Sequence, residues 1–240
     1  MSAPVVERDY VLTHVIESLV RNDPPSGLVF KGGTALRLCF YDDFRYSADL
    51  DFSLVGLDRA DALAALREAL GLCAETIGLP MVELPDADSV SIHYLGPLGR
   101  ERQIKVDLAD DELVVATTDR AVIARYSDQL TDRPALRAYT LEEVAGEKLR
   151  CVLQRLLCRD ISDLHRLLVR EGVDVDESWA RFVEKARFKS LQPAAFAERL
   201  DAREPQYRRR WEQELADLER DLRPFDEVVR QLRRALRGHL

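Results

Sequence analysis

The residues best equipped for chemistry in this 240-residue chain are three aspartates on two short alternating segments. Asp49 and Asp51 lie in residues 48–54, where Leu50, Phe52 and Leu54 alternate with Asp49, Asp51 and Ser53. A period of two marks a strand, and positions i and i+2 of a strand face the same side. Both carboxylates therefore project together, while the apolar residues point into a core. Adjacent carboxylates repel one another unless a cation sits between them. Oxygen-only donors suit Mg²⁺, which typically takes one or two carboxylates together with substrate phosphates. On its own, an Asp-x-Asp strand reads as a solvated surface strand. Asp107 changes that weighing. It lies in a second alternating strand, residues 102–108, opposite in sense to Val106 and Leu108. With the two strands side by side, three carboxylates would converge on one sheet face, as a two-metal phosphoryl or nucleotidyl transfer requires. Asp107 would also be placed to accept the proton of an attacking hydroxyl.

A second candidate is Lys31-Gly32-Gly33-Thr34, between a short apolar run (Leu28, Val29, Phe30) and a helix expected over 34–40. Two glycines there allow a sharp turn and close approach of a ligand to the backbone. Amides exposed at the helix start favour a phosphate. Alone, a Gly-Gly pair is more often only a turn, and the segment lacks the spacing of a P-loop or a dinucleotide fingerprint.

These residues need elements to hold them. Residues 7–21 place Tyr10, Val11, His14, Val15 and Leu19 on one helical stripe, ended by Asn22-Asp23-Pro24-Pro25. Residues 58–77 form an amphipathic helix through Leu63, Leu66, Leu70, Cys73 and Ile77. A further strand is expected over 89–95, joined to 102–108 by a turn at Gly96-Pro97-Leu98-Gly99. Beyond about residue 140 the pattern turns helical. Thr140 and Glu143 suggest a capping box for a helix to about 157. More helices follow over 160–170 and 177–187, then a long charged one over 208–237 interrupted at Pro224. The expected fold is α/β (α+β), with a mixed-sheet core over residues 1–135 and a helical region over 136–240.

Two ordered blocks then carry a resemblance. Lys31-Gly32-Gly33-Thr34-Ala35-Leu36-Arg37-Leu38 precedes Phe44-Arg45-Tyr46-Ser47-Ala48-Asp49-Leu50-Asp51-Phe52. Glu147-Lys148-Leu149 precedes Arg159-Asp160-Ile161-Ser162-Asp163-Leu164. In sequence and order these resemble the AbiEii/AbiGii nucleotidyltransferase toxins, the family that includes the MenT toxins, over roughly residues 28–170. The chain has Ala48 where that family often has Glu, a change that leaves the carboxylates in place.

The resemblance implies a nucleotidyltransferase-like core and the toxin of a toxin–antitoxin or abortive-infection pair. It implies transfer of a nucleoside monophosphate from a nucleoside triphosphate to an acceptor hydroxyl, with the 3′ end of tRNA as acceptor and a cognate antitoxin as partner. It puts Ser47 and Asp49 at catalytic positions, Asp51 as partner metal ligand, Lys148 against the nucleotide phosphates and Asp163 at a later essential carboxylate. With Asp107, the expected catalytic set is Ser47, Asp49, Asp107, Lys148 and Asp163. The nucleotide set is Lys31, Gly32, Gly33, Thr34, Ser47 and Lys148. Asp49, Asp51 and Asp107 would hold Mg²⁺, with Mn²⁺ as the alternative ion. The helical region would complete the site through Lys148 and Asp163. Asp160 reads as a helix cap, and Arg45 and Arg159 either pair with acids or bind phosphate.

Composition narrows the rest. A net charge of −8 argues against generic adhesion to nucleic acid or membrane. It conceals an asymmetry: residues 181–240 carry 15 Lys and Arg against 11 Asp and Glu (+4), and the first 180 carry 20 against 32 (−12). Arg208, Arg209 and Arg210 beside Trp211, then Arg230, Arg233, Arg234 and Arg237, form a candidate RNA-facing surface within otherwise solvated helix faces. No apolar run spans a bilayer and no leader pattern opens the chain, so a cytoplasmic location is the default expectation. Cys39, Cys73, Cys151 and Cys158 lack metal spacing and read as core residues. The four histidines and the absence of a Gly-x-Ser-x-Gly motif offer no covalent hydrolase. Two other readings stay open: a nucleotidyltransferase acting on a protein or small molecule, and a catalytically silent nucleotide-binding module.

Overall fold

The structure, a computed structural model, describes residues 2–85, 90–96, 99–129 and 135–240. Two compact units divide the chain: Met1–Asp111 with Thr117–Ala138, and Glu112–Ala116 with Tyr139–Leu240.

The first unit opens with helix α1 (Ala3–Arg21), which starts earlier than its apolar stripe because Pro4 is accommodated in the first turn. Strand β1 (Leu28–Lys31) leads into α2 (Gly32–Ala35), which runs on as a π-helical turn over Leu36–Phe40. Next come β2 (Leu50–Leu54), α3 (Arg59–Ile77), β3 (Met81–Pro85), β4 (Val90–Leu95), β5 (Glu101–Ala109), β6 (Thr117–Ala121) and β7 (Ala135–Tyr139). The seven strands form one mixed sheet in the order β3-β4-β5-β2-β1-β7-β6. Antiparallel pairing joins β1 to β2, β3 to β4 and β4 to β5, and parallel pairing joins β2 to β5 and β1 to β7. Each β2 and β5 partner thus sits beside the other without a hairpin, so α3, β3 and β4 form the crossover between them.

Apolar burial fixes this arrangement. Leu50 and Phe52 of β2 and Ile104, Val106 and Leu108 of β5 are buried with Leu12, Val15, Ile16 and Leu19 of α1 and Leu66, Leu70 and Cys73 of α3. Each such side chain contributes about 1.5–3 kcal/mol on burial. Helix α3 ends at Gly78, whose φ of +66° supplies the left-handed C-terminal residue. Gly99 donates from its amide to the Gly96 carbonyl at the expected turn, while Pro97 and Leu98 lie outside the described residues, as does Ser89.

The second unit is helical: α4 (Leu141–Gln154), α5 (Cys158–His165, continued by a π-helical turn Arg166–Arg170), α6 (Val175–Phe188), α7 (Phe196–Leu215) and α8 (Phe225–Ala235). Thr140 caps α4, its Oγ1 accepting the Glu143 amide at 3.2 Å. The reciprocal half of a capping box is replaced: Glu143 turns inward to take the Val115 amide and the Lys185 ammonium, at 3.0 and 2.7 Å. The long helix expected over 208–237 is two helices, because α7 begins at Phe196, tolerates Pro205 and stops at Leu215. All four cysteines are free and buried, and burial pushes the Cys39 thiol up to about 12. No described helix is long and apolar enough to cross a membrane.

Candidate active site

In the first unit, the ends of β1, β2 and β5 meet around the Gly32-Gly33 turn. Lys31 closes β1 directly opposite Asp51 of β2 in the antiparallel register. On the other side of β2, Asp51 is the parallel register partner of Asp107 in β5. Register partners share a sheet face, so the two carboxylates stand on neighbouring strands with the same sense. Asp49 falls one residue ahead of β2, where its carbonyl accepts the Thr34 hydroxyl at 2.5 Å. Asp49, Asp51 and Asp107 are each partly exposed on strands whose apolar residues are buried.

The turn itself is built for close approach. Gly32 has a φ of +78°, and a Cβ there would collide with Asp51 Oδ2. A Cβ at Gly33 would come 2.8 Å from Arg45 Nη2 and 3.2 Å from Ser47 Oγ. Acid, guanidinium and hydroxyl therefore crowd two consecutive glycines. Arg45 is buried and donates to the Tyr46 carbonyl at 3.0 Å, with its guanidinium 5.6 Å from the Phe44 ring centroid.

The loop carrying Arg45 and Ser47 is pinned by Arg37, a residue that the reading of the sequence left without a role. Its guanidinium makes two bonds to the Asp9 carboxylate, at 2.5 and 2.9 Å, and donates to the Phe44 carbonyl at 2.5 Å. It also lies 3.9 Å from the Tyr46 ring centroid. Both Arg37 and Asp9 are buried. Tyr126 donates to the same Asp9 carboxylate at 2.9 Å, and Arg125 donates to the Tyr41 carbonyl at 2.8 Å. Only the Arg in the Gly-Gly-Thr-Ala-Leu-Arg block hinted at this, since an Arg on an otherwise apolar helix face must find a buried partner.

The second unit holds the other expected residues in a buried cluster. Lys148 on α4 lies 2.7 Å from Asp163 Oδ2 and 3.0 Å from Asp160 Oδ1, both on α5. Arg155, from the break between the helices, clamps Asp160 with bonds of 2.8 and 3.0 Å. Asp160 and Asp163 are fully buried. For Asp160, burial opposes ionisation more than any other single influence, yet Lys148 and Arg155 together outweigh it and hold its carboxyl far below the usual carboxylate range. Asp160 is therefore not a helix cap: α5 starts at Cys158, its N-cap residue is Leu157 with no side-chain cap, and the Asp160 carboxylate is committed to two cations. Arg155 was missed because it sits outside any helical repeat with Asp160.

Lys31, Gly32, Gly33, Thr34, Ser47, Asp49, Asp51 and Asp107 thus fall within the first unit, and Lys148 and Asp163 within the second. Among the described residues, no three His, Cys, Asp or Glu side chains are drawn together closely enough to enclose an ion. Asp51 and Asp107 share a face by strand register, with Asp49 just ahead of β2, and the three do not form a closed cage. The arginine tail is also divided. Trp211 is buried, donates to the Arg223 carbonyl at 2.9 Å and packs on Phe225, so it offers no exposed ring to a base. Arg208 pairs with Glu204 and Asp226, Arg210 with Glu214, and Arg233 with Asp201 and Glu204.

A family model described as nucleotidyl transferase AbiEii toxin, type IV TA system, matches residues 14–231. Among solved structures, MenT4, a nucleotidyltransferase toxin from Mycobacterium tuberculosis H37Rv, aligns with 98% of this chain and 84% of its own at a TM-score of 0.67 and 21% identity. That likeness is one of fold. An antigenic nucleotidyltransferase-like protein from Paracoccidioides brasiliensis aligns with 82% of this chain and 93% of its own, at a TM-score of 0.43 and 13% identity. No curated protein matches the chain significantly.

Proposed function

The chain belongs to the AbiEii nucleotidyl transferase toxins, and from that membership we propose that it transfers a nucleoside monophosphate from a nucleoside triphosphate to the 3′ end of tRNA. It is a nucleotidyltransferase by family. Acceptor, ion and residue roles are our reading of the site. The observation that carries it is the register pairing of Asp51 with Asp107 beside the Gly32-Gly33 turn.

The donor chemistry is that of a divalent cation. The donors are all carboxylate oxygens, Asp51 and Asp107 are register partners, and the three aspartates remain partly exposed, while no three acids among the described residues are drawn close enough to enclose an ion. That is the situation Mg²⁺ favours, with one or two carboxylates and the remaining positions left to water and substrate phosphates. Asp49, Asp51 and Asp107 would hold it, and Mn²⁺ would fit the same oxygens. When bound, the ion supplies charge neutralisation at the phosphates and orients them.

The chain's own groups do the rest. Gly32 and Gly33 bring backbone amides against the triphosphate with no side chain of their own, Ser47 offers a hydroxyl at the same turn, and Thr34, donating to the Asp49 carbonyl, ties the turn to the Asp49 segment. Lys31 and Arg45 balance the anionic charge there. Asp107 takes the proton from the acceptor hydroxyl as that oxygen attacks the α-phosphorus and the bond to pyrophosphate breaks. The family resemblance assigns Lys148 to the nucleotide phosphates; within the second unit its ammonium is held by Asp160 and Asp163. A toxin of a type IV system implies an antitoxin partner. The acceptor is tested by labelling total cell lysate with α-³²P nucleotides and the purified protein. Loss of label to ribonuclease supports RNA, and loss only to protease moves the acceptor to protein.

A further inference from the structure

The arginines of the carboxy-terminal helices differ in their partners. Arg208, Arg210, Arg223 and Arg233 are each ion-paired, to Glu204 and Asp226, to Glu214, to Glu227, and to Asp201 and Glu204 respectively. Arg230, Arg234 and Arg237 are exposed and take part in no ion pair among the described residues, as is also true of Arg199 and Arg209 on α7. They are spaced i, i+4, i+7 and so form one stripe along α8 and the turn after it. At 1.5 Å rise per residue, Arg230 and Arg234 step along the axis by about 6 Å, and Arg237 lies in the turn that follows α8.

The acids nearest the stripe are already neutralised. Asp226 is held by Arg208 at 2.6 Å, and Glu204 by Arg208 and Arg233 at 3.0 and 2.8 Å. All three free arginines line one groove of about 390 Å³ with Glu204, Asp226 and Arg233. The helix macrodipole favours a cation in the last turn, but it does not ask for a row that extends a turn before and past it. Three exposed guanidinium groups along one edge present a row of positive charge to a phosphodiester backbone, whose oxygens Arg binds with its planar fork.

We infer that Arg230, Arg234 and Arg237 form an RNA-backbone surface that holds the acceptor, an inference that rests on the RNA-acceptor reading above. It narrows the arginine tail to one stripe and removes Trp211 and the paired arginines from it.

Anisotropy of fluorescently labelled tRNA with the full chain, at several salt concentrations, tests this. The variants are R230Q/R234Q/R237Q and, as control, R208Q/R210Q. The stripe variant should bind about tenfold or more weakly, and its slope of log affinity against log salt should fall by about 2, for three lost phosphate contacts. Nucleotide binding and thermal midpoint of the stripe variant should match wild type. The control should keep wild-type affinity and slope. Equal binding by wild type and stripe variant overturns the inference while leaving the acceptor reading intact, provided wild type still labels tRNA. An equal loss in the control overturns it too, since generic charge would then suffice. If wild type neither binds nor labels tRNA, both the surface and the acceptor reading fall.

Discussion

Asp51 and Asp107 are direct register partners on the parallel strands β2 and β5, and Asp51 is at the same time opposite Lys31 on β1. A central strand thus brings two acids and a cation into adjacent columns. Like charges opposite one another on a sheet oppose folding by about 0.2–1 kcal/mol. Such a pairing is retained where a bound cation offsets it.

Asp107→Asn should reduce nucleotidyl transfer by at least about a hundredfold, a loss of about 2.7 kcal/mol in the transition state. Its thermal midpoint in EDTA should equal or exceed that of wild type, because a repulsion is removed. Mg²⁺ should raise the midpoint of wild type more than that of the variant, and EDTA should abolish transfer. A variant that melts lower in EDTA would show that Asp107 is a structural residue. Scanning fluorimetry and a transfer assay read all of this.

Gly32 and Gly33 should respond differently to Ala. Gly32→Ala meets both a left-handed φ and the Asp51 carboxylate, so about 1–3 kcal/mol of stability should be lost together with activity. Gly33→Ala meets the far ends of Arg45 and Ser47, which can swing aside, so stability should change by less than about 1 kcal/mol. Nucleotide affinity, measured by calorimetry, should still fall in Gly33→Ala.

Buried charge in the second unit makes stability depend on pH. Folded Asp160 ionises well below its unfolded value of about 3.9. Its contribution is therefore present above about pH 4 and is lost as pH falls below that, towards the folded value. Asp160→Asn should melt lower than wild type at pH 7, and the gap should shrink by pH 3. Lys148→Met, which takes the ammonium from Asp163 and leaves Asp160 to Arg155 alone, should cost about 3–5 kcal/mol at pH 7 and less in acid. Thermal melts across pH 3–7 check both.

Removing Arg37 should leave Asp9 buried with the Tyr126 hydroxyl but without the cation that neutralises it. Arg37→Met alone should cost about 3–5 kcal/mol. Arg37→Met with Asp9→Leu should recover much of that, since an apolar pair leaves no orphaned charge. Transfer should stay low in the double variant, because the Phe44 carbonyl and Tyr46 ring lose their anchor and Ser47 is no longer positioned. Recovery of activity along with stability would mean that Arg37 does not position the loop.

Particular residues show what was legible in the sequence. The alternation at Leu50, Phe52, Ile104, Val106 and Leu108 announced β2 and β5 because their apolar faces are buried. Strand β6 was silent: Thr117-Thr118-Asp119-Arg120-Ala121 is largely exposed and carries no period-two apolar pattern. Strand β7 has only Leu136 and Ala138 on its buried face before Tyr139, too little to stand out from a loop. The parallel pairing of β2 with β5 is tertiary, and no local pattern encodes it. Asp160 misled for a related reason. Asp in a first turn reads as a cap, and only three-dimensional packing reveals Lys148 and Arg155 as its partners. Family motifs, by contrast, pointed to Lys148 and Asp163 without any local physical signal.

The central claim is nucleotidyl transfer at the Asp49, Asp51 and Asp107 face. Its most direct test is incubation of the purified chain with each α-³²P nucleoside triphosphate, Mg²⁺ and total tRNA, beside Asp49→Ala. Label should appear on tRNA with one equivalent of pyrophosphate released for each nucleotide added, and neither should appear in Asp49→Ala at unchanged folding. Undiminished labelling by Asp49→Ala, or nucleotide bound with no transfer to any acceptor, would contradict it.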